Sequence, residues 1–478
     1  AIPRIVTTDT AEIKFLLPVV THGPGQNNSV WRTDVQIYTP DPSVTTAHPL
    51  EMEATLRDLH RNLQVFNSTF TYEDFMRVFT NGTDSGPVII TVRSQFAPQI
   101  WTRTYNQTEF GTFGQTIPAI RIDAAAGGAS AFGDGKYYMS GLRHDTNFRT
   151  NLGFLNPNAQ TIIATVKVFN DVRQQVGQFT LQLPQYQLQQ FPITAPQAVP
   201  LLSPDRPFSV EITVPPGQWL IGYASYIDNA SGDPMTLSAV RESELGLTDY
   251  SNIVIPGVGH VGEWRSDVTI FNPDMNAINV DLAYHDQSGA KVAEAKNVLI
   301  RGGEFIQYKD LIKQGIFGSL PDSLGILRVN VPGPFPPTIY PLTFARTYND
   351  KGTGKTFGQG IGGFAAARAN VKPGKPALVA GIRSNSKYYT NVGLTSVATV
   401  PVTAVVKLLD PTSGAEQTLQ THTLQPNQSV VARIVMPSGL ETGSLKIEVT
   451  GGNVWAFGSI VDVGTADPEY VAATPLVQ

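Results

Sequence analysis

The sequence predicts an all-β protein built from four tandem immunoglobulin-like β-sandwich units in an A-B-A′-B′ duplication, and three observations carry that expectation. A signature recurs at domain-sized intervals: Trp31-Arg32-Thr33-Asp34-Val35 and Trp264-Arg265-Ser266-Asp267-Val268, with looser copies at Phe148-Arg149-Thr150-Asn151-Leu152 and Tyr388-Tyr389-Thr390-Asn391-Val392. The successive spacings of 117, 116 and 124 residues are those of consecutive domains rather than of a short solenoid repeat. Alternation with a period of two dominates, as in Trp219, Ile221, Tyr223, Ser225 and Ile227, or in the runs 209–214 and 444–449, which reads as half-buried strand. The chain has 43 glycines and 35 prolines, enough turn residues to break such runs into the short strands of sandwiches.

The elements follow in order. Unit 1 opens with an apolar strand at 13–17, and Pro18 and His22 correspond to Pro256 and His260 of unit 3. The aromatic signature then starts a second strand. Tyr72, Asp74 and Phe75 correspond to Tyr308, Asp310 and Leu311, and the stretches 72–79 and 308–313 suit one or two helical turns crossing between sheets. Late in these units Arg103-Thr104-Tyr105-Asn106 matches Arg346-Thr347-Tyr348-Asn349, and Gly111-Thr112-Phe113-Gly114-Gln115 resembles Lys355-Thr356-Phe357-Gly358-Gln359. Units 2 and 4 share Gly141-Leu142-Arg143 with Gly381-Ile382-Arg383, and Ser225-Tyr226-Ile227-Asp228 with Ser459-Ile460-Val461-Asp462. The expected boundaries are an N-terminal extension at 1–12, sandwiches at 13–123, 137–240, 253–366 and 377–466, and a surplus tail at 467–478. The linkers at 124–129 and 370–376 are short. Trp101, Trp219 and Trp455 stand two, six and four residues before the late tetrads, on one strand face, where a core plug between the two sheets of each unit is expected.

Composition narrows the function classes. Charged residues make up 15% and hydrophobic residues 41%, with a formal net charge of −5; this is a folded chain with no basic patch, so no nucleic-acid partner is expected. The absence of cysteine excludes disulfides and thiolate chemistry. Together with the start at Ala1, it suits an exported product after signal-peptide removal. No apolar run is long enough for a membrane-spanning helix.

Sequence motifs with chemical content mostly fail on context. Gly358-Gln359-Gly360-Ile361-Gly362-Gly363 matches a dinucleotide fingerprint in letters, but an all-β setting supplies no following helix. The seven histidines show no zinc-ligand spacing, so no metal and no cofactor are expected. The constellation that recurs in units 1 and 3 is His22, Asp34, Arg103, Tyr105 and Asn106, repeated as His260, Asp267, Arg346, Tyr348 and Asn349. Arginine stacked on aromatic rings can hold a sugar or a carboxylate. The competing reading is glue between neighbouring units, with arginine paired to an acid. No catalytic residue is assigned.

The motif string at 31–40, 103–115 and 148–157, repeated at 264–273 and 346–359, resembles a group of exported bacterial tandem β-repeat proteins from Acidobacteria-like genomes, most of them hypothetical. The resemblance implies export and tandem sandwiches, and no activity; unit 4 departs most, with Tyr389 at the arginine position. The resulting expectation is a non-enzymatic structural protein, extracellular or on the cell surface. It assembles with itself or other surface proteins through a terminal β-strand carrying Ile2, Ile5 and Val6. A carbohydrate-binding or adhesion protein is the alternative, and a hydrolase or its accessory module is third.

Overall fold

The computed structural model describes residues 12–25, 29–41, 43–109, 111–123, 135–194, 202–203, 206–333, 337–350, 352 and 354–476. The chain is an all-β array of antiparallel sheets. Residues 136–241 form a five-stranded sheet in the order Gln175–Leu183, Ile162–Asn170, Phe208–Thr213, Lys136–Leu142, Val240–Arg241. A four-stranded sheet accompanies it, in the order Leu188–Pro192, Phe148–Leu155, Ile221–Asp228, Pro234–Ser238. The same five-plus-four order recurs over 252–365 and over 377–475. In the first unit the two layers join into a nine-stranded sheet, because Glu12–Pro24 pairs along most of its length with Asp84–Arg93 and at His22–Pro24 with Val30–Arg32. Alternation explains the layering: Ile162–Asn170 buries every second residue, and those side chains gather with Leu152, Phe154, Val210 and Ile212 in one of four main apolar cores. The other three lie within 13–100, within 371–473, and within 245–365 with Tyr138 added.

The first strand of each unit carries a register shift, and in three of them a glycine in the left-handed region stands at it: Gly141, Gly257 and Gly381, with φ of 72, 68 and 65°. Two of these bulges are pressed against another unit. A Cβ on Gly141 would fall 2.8 Å from Thr269 Oγ1 and 2.9 Å from the Phe344 ring, and one on Gly381 1.8 Å from Gln36 Oε1. Glycine is thus required there both by backbone and by space.

Three expectations change. The tail at 467–478 is not surplus: Pro468–Ala472 pairs with Val454–Asp462, and Thr474–Pro475 pairs with Ala377–Leu378. The same closing pair occurs as Ile120–Arg121, Val240–Arg241 and Phe364–Ala365. Second, the tryptophans do not plug the space between two sheets of one unit. Trp101 packs on Leu378, Ala380 and Leu409 of unit 4, Trp455 stacks on Phe364 of unit 3 at 4.0 Å, and Trp219 is half-buried. Third, helical structure is scarcer than expected at 308–313, where Tyr308 ends a strand and only bends and turns follow; the crossover in unit 1 is a 3-10 turn, Phe75–Val78.

Both crossovers are fastened in the same way. Asp74 and Asp310 take left-handed conformations, with φ of 48 and 41°. Their N–H groups donate to Asp34 and Asp267 Oδ1, each at 2.9 Å. Their carboxylates hold His22 and His260 Nδ1 at 2.8 and 2.9 Å. Aspartate is one of the few non-glycine residues that tolerates this backbone region. Asp74→Ala therefore loses the histidine and Arg32 partners and retains the strained backbone. It should cost about 2–3 kcal/mol in urea unfolding, and Asp74→Asn less than half as much; equal losses would contradict this fastening.

Candidate functional site

The four units meet at one place, and edge strands make the meeting. Thr112–Pro118, Pro234–Ser238, Thr356–Gly362 and Pro468–Ala472 each end a sheet path, paired on one side to the late strand of their own unit. Their free sides face one another. The first contacts the second, the second the third, the third the fourth, and the fourth returns to the first. The chain therefore closes on itself, with the last unit against the first.

Two kinds of contact build the junction. Around the ring, Asp462 Oδ2 accepts from Thr112 N and Oγ1, both at 3.0 Å, while its Oδ1 accepts from Gly464 N and Thr465 N. Asp228 repeats this with Thr356 N at 3.3 Å, Thr356 Oγ1 at 2.5 Å, and the N–H groups of Ala230 and Ser231. Asp467 accepts from Gly114 N at 2.9 Å and Asp233 from Gly358 N at 2.7 Å. Across the ring, Phe113 stacks on Phe357 with centroids 5.5 Å apart, and the carboxyl groups of Asp233 and Asp467 meet each other. Both acids are buried, and their Oδ1 atoms have no donor among the other described side chains. Two acceptors bond only if at least one carries a proton, so the pair holds at least one. Burial pushes Asp233 up to about 7, and burial beside Asp233 drives Asp467 well above the usual carboxylate range.

This explains the shared Thr-Phe-Gly-Gln run. Threonine caps an aspartate of the neighbour and phenylalanine makes the diagonal stack. Glycine leaves room for the late strand, since a Cβ on Gly114 would lie 2.9 Å from Tyr105 Cβ and one on Gly358 2.7 Å from Tyr348 Cβ. Glutamine reaches a further unit, as Gln115 accepts from Thr236 Oγ1 and Gln359 from Ser459 Oγ.

The residues singled out from the sequence are brought together only in part. Arg103, Asp34 and Tyr105 form one buried cluster in the interface between units 1 and 4. Arg103 Nε donates to Glu469 Oε2 at 2.6 Å, and its Nη2 donates to Thr112 Oγ1 at 2.9 Å. The guanidinium lies 4.6 Å from the Tyr105 ring centroid and 5.6 Å from that of Tyr388. Asp34 accepts from Tyr105 Oη at 3.2 Å and sits 3.5 Å from Arg383. Burial alone would depress Arg103, but Glu469, Tyr388 and Asp34 outweigh it and raise the group above its ordinary value. In the other half Arg346 donates to Thr356 Oγ1 at 2.7 Å and stacks against Tyr348 and Phe148, and Asp267 accepts from Tyr348 Oη at 3.3 Å. Asn106 accepts from Val30 N at 2.8 Å, and Asn349 is buried. His22 and His260 lie apart, on the crossover aspartates. With Arg103 and Arg346 only 7% and 6% exposed, these residues are inter-unit glue and do not present a ligand surface. Ile2, Ile5 and Val6 lie outside the described residues.

Sequence reasoning missed Asp228, Asp233, Asp462, Asp467 and Glu469. A signal for four of them was present: both even units read Asp, four residues, Asp-Pro, at 228–234 and at 462–468. Among the described residues no group of three or more His, Cys, Asp or Glu is placed to hold a metal ion, and no helix is long and apolar enough to cross a membrane.

No family model and no curated protein matches the chain. Among solved structures, a glycoside hydrolase family 32 protein from Bifidobacterium adolescentis aligns over 96% of this chain and 95% of its own, at 7% identity and a TM-score of 0.13. A score that low carries no argument about fold or activity.

Two outcomes test the junction. Glu469→Gln leaves Arg103 buried without its acid and should cost about 3–5 kcal/mol in urea unfolding; a loss below about 1 kcal/mol would contradict a buried ion pair. An acid raised in the folded state stabilises below its unfolded value, near 4, and that stability is lost as pH rises through the folded value, about 7 for Asp233. The chain should therefore lose about 4 kcal/mol or more between those pH values from this pair. Asp233→Asn should flatten the decline in thermal-melting profiles; an unchanged slope would contradict the shared proton.

Proposed function

We propose that this chain is a non-catalytic structural protein of the cell surface or of an extracellular assembly, and that copies join by adding a terminal strand of one to an open sheet edge of the next. The observation that carries this reading is the strand Gln175–Leu183, which ends its five-stranded sheet. It is nine residues long, and residues 174–204 around it contain no Asp, Glu, Lys, Arg or His. Gln178, Thr180 and Gln182 are exposed, while Phe179 and Leu181 lean on the core.

Natural proteins guard such edges with charge, proline or bulges, and the corresponding outer strands here do so. Leu59–Val65 carries His60 and Arg61. Lys291–Ile300 carries Lys291, Glu294 and Lys296 and two register shifts. Glu416–Leu424 is flanked by the ion pairs of Glu416 with Lys407 and Lys446. The Gln175–Leu183 edge has one register shift, near its start, and no charge, so its run from Gly177 onward is the least guarded template for β-augmentation, in which main-chain hydrogen bonds supply affinity. The donor in this reading is the N-terminal segment, whose run Ile5-Val6-Thr7-Thr8 is β-prone. A donor and an acceptor at different places on the surface make a heterologous contact, which propagates into a filament unless the rotation closes. The lack of cysteine and the low charge content suit an exported building block. The arginine clusters do not support a glycan-binding role, because they are sealed between units.

Light scattering and negative-stain microscopy of three proteins test this: the full chain, a deletion of residues 1–11, and Gln178→Lys with Thr180→Lys. The full chain should assemble with concentration. Both variants should remain single particles with an unchanged melting temperature. A full chain that stays monomeric at high concentration would overturn the proposal. Assembly that survives the deletion and fails only in the lysine variant would replace the terminal donor with edge-to-edge pairing.

A further inference from the structure

We infer that the groove between the first and second units is a binding site for a short oligosaccharide carrying a uronic acid. The groove has a volume of about 510 Å³, within the range of small-molecule clefts. It lies away from the edge strand Gln175–Leu183 and borders the central junction at Gln115.

One wall is the outer face of the second unit's four-stranded sheet. Its register sets Gln190 and Tyr223 on either side of Gly153, and Pro192 and Ser225 on either side of Asn151, with Arg149 beside Ile227. Gly153 lets the Tyr223 ring lie across the sheet, since a Cβ there would fall 2.1 Å from the ring. Tyr223 Oη then donates to Gln190 Oε1 at 2.8 Å, which leaves the amide NH2 of Gln190 as its donor end. The other wall, from the first unit, contributes Trp31 and Gln115. Trp31 is half-buried, whereas the Phe191 ring turns inward onto Phe154 and Phe179, so the groove's aromatic faces are those of Trp31 and Tyr223.

This lining matches the chemistry of a sugar. Aromatic faces take the apolar C–H faces of pyranose rings, and amides pair with hydroxyl groups as both donors and acceptors. Among the described lining residues the charged side chain is Arg149 and none is a carboxylate; the nearby Asp228 acts on it and is itself held by Thr356, Ala230 and Ser231. Arg149 spends one donor on Asn229 Oδ1 at 2.8 Å and has four more. A carboxylated sugar is thereby favoured over a neutral one.

The other half of the molecule shows that the fold does not need this groove open. Asn391 pairs with Arg433 as Asn151 pairs with Pro192. Tyr389 therefore occupies the place of Arg149, and the Arg433 guanidinium sits on its ring at 3.7 Å. Units 3 and 4 are further tied there by Arg328 Nε donating to Asn427 Oδ1 at 2.7 Å. A cation–aromatic stack of the protein's own stands where the first half keeps a groove with a cation and aromatic rings at its walls.

Isothermal titration of the full chain with trigalacturonate, trimannuronate and cellotriose tests the site, alongside Trp31→Ala and Arg149→Gln with melting curves as the folding control. At least one uronate should bind saturably and more tightly than cellotriose. Arg149→Gln should weaken uronate binding tenfold or more and leave cellotriose binding within twofold, while Trp31→Ala should weaken both. Absence of binding by all three sugars, or uronate binding unchanged in both variants, would overturn the site. Cellotriose bound as tightly as the better of the two uronates would overturn the acidic class.

Discussion

Everything else in the structure depends on four sheet edges being buried against one another at one point. An edge strand carries unpaired main-chain groups, and burying four of them together requires side-chain acceptors and donors supplied by neighbours. Asp228, Asp462, Asp233 and Asp467 supply the acceptors, and the N–H groups of Thr356, Thr112, Gly358 and Gly114 are what they satisfy. Each aspartate thus belongs to one unit and completes the backbone of another. The arrangement couples units distant in sequence, because the fourth closes against the first.

The junction is polar on one diagonal and apolar on the other, and the two are unequal in their response to conditions. The Phe113–Phe357 stack has no titratable group. The Asp233–Asp467 contact depends on keeping at least one proton in a buried setting with Arg346, Arg103 and Asp228 nearby. A buried carboxyl pair of this kind fixes geometry while it keeps its proton and repels when it loses it. The Arg103–Glu469 pair adds specificity to one half only, since the position of Glu469 is Met235 in the other. The two halves are therefore similar in backbone and distinct in electrostatics. The open groove of the first half and the filled one of the second follow the same division.

The sequence made the sandwich order legible because alternation and the recurring aromatic signature both report on strands. It also matched Asp74 to Asp310, and His22 to His260, as equivalent positions, and the structure joins the histidine to the aspartate within each unit. Partners across units were not legible. Alternation says that Trp101 faces inward and cannot say that Leu378 of the last unit covers it. Arg103 pointed to an anionic partner, but Glu469 lay in a stretch that looked surplus because its counterpart after Gly114-Gln115 shares no residues with it. The Asp, four residues, Asp-Pro spacing was readable and went unread, since an aspartate before proline is also an ordinary turn signal. Nothing in the sequence weighed Trp31 against the other tryptophans; only the fold places it at a groove.

Closure of the chain on itself is the central claim, and small-angle X-ray scattering of the monomeric form measures it most directly. A chain of 478 residues packed with its last unit against its first should give a radius of gyration of ~23 Å and a single compact distance distribution. A markedly larger radius, with the extended tail of a linear string of domains, would contradict the closed junction and every interface derived from it.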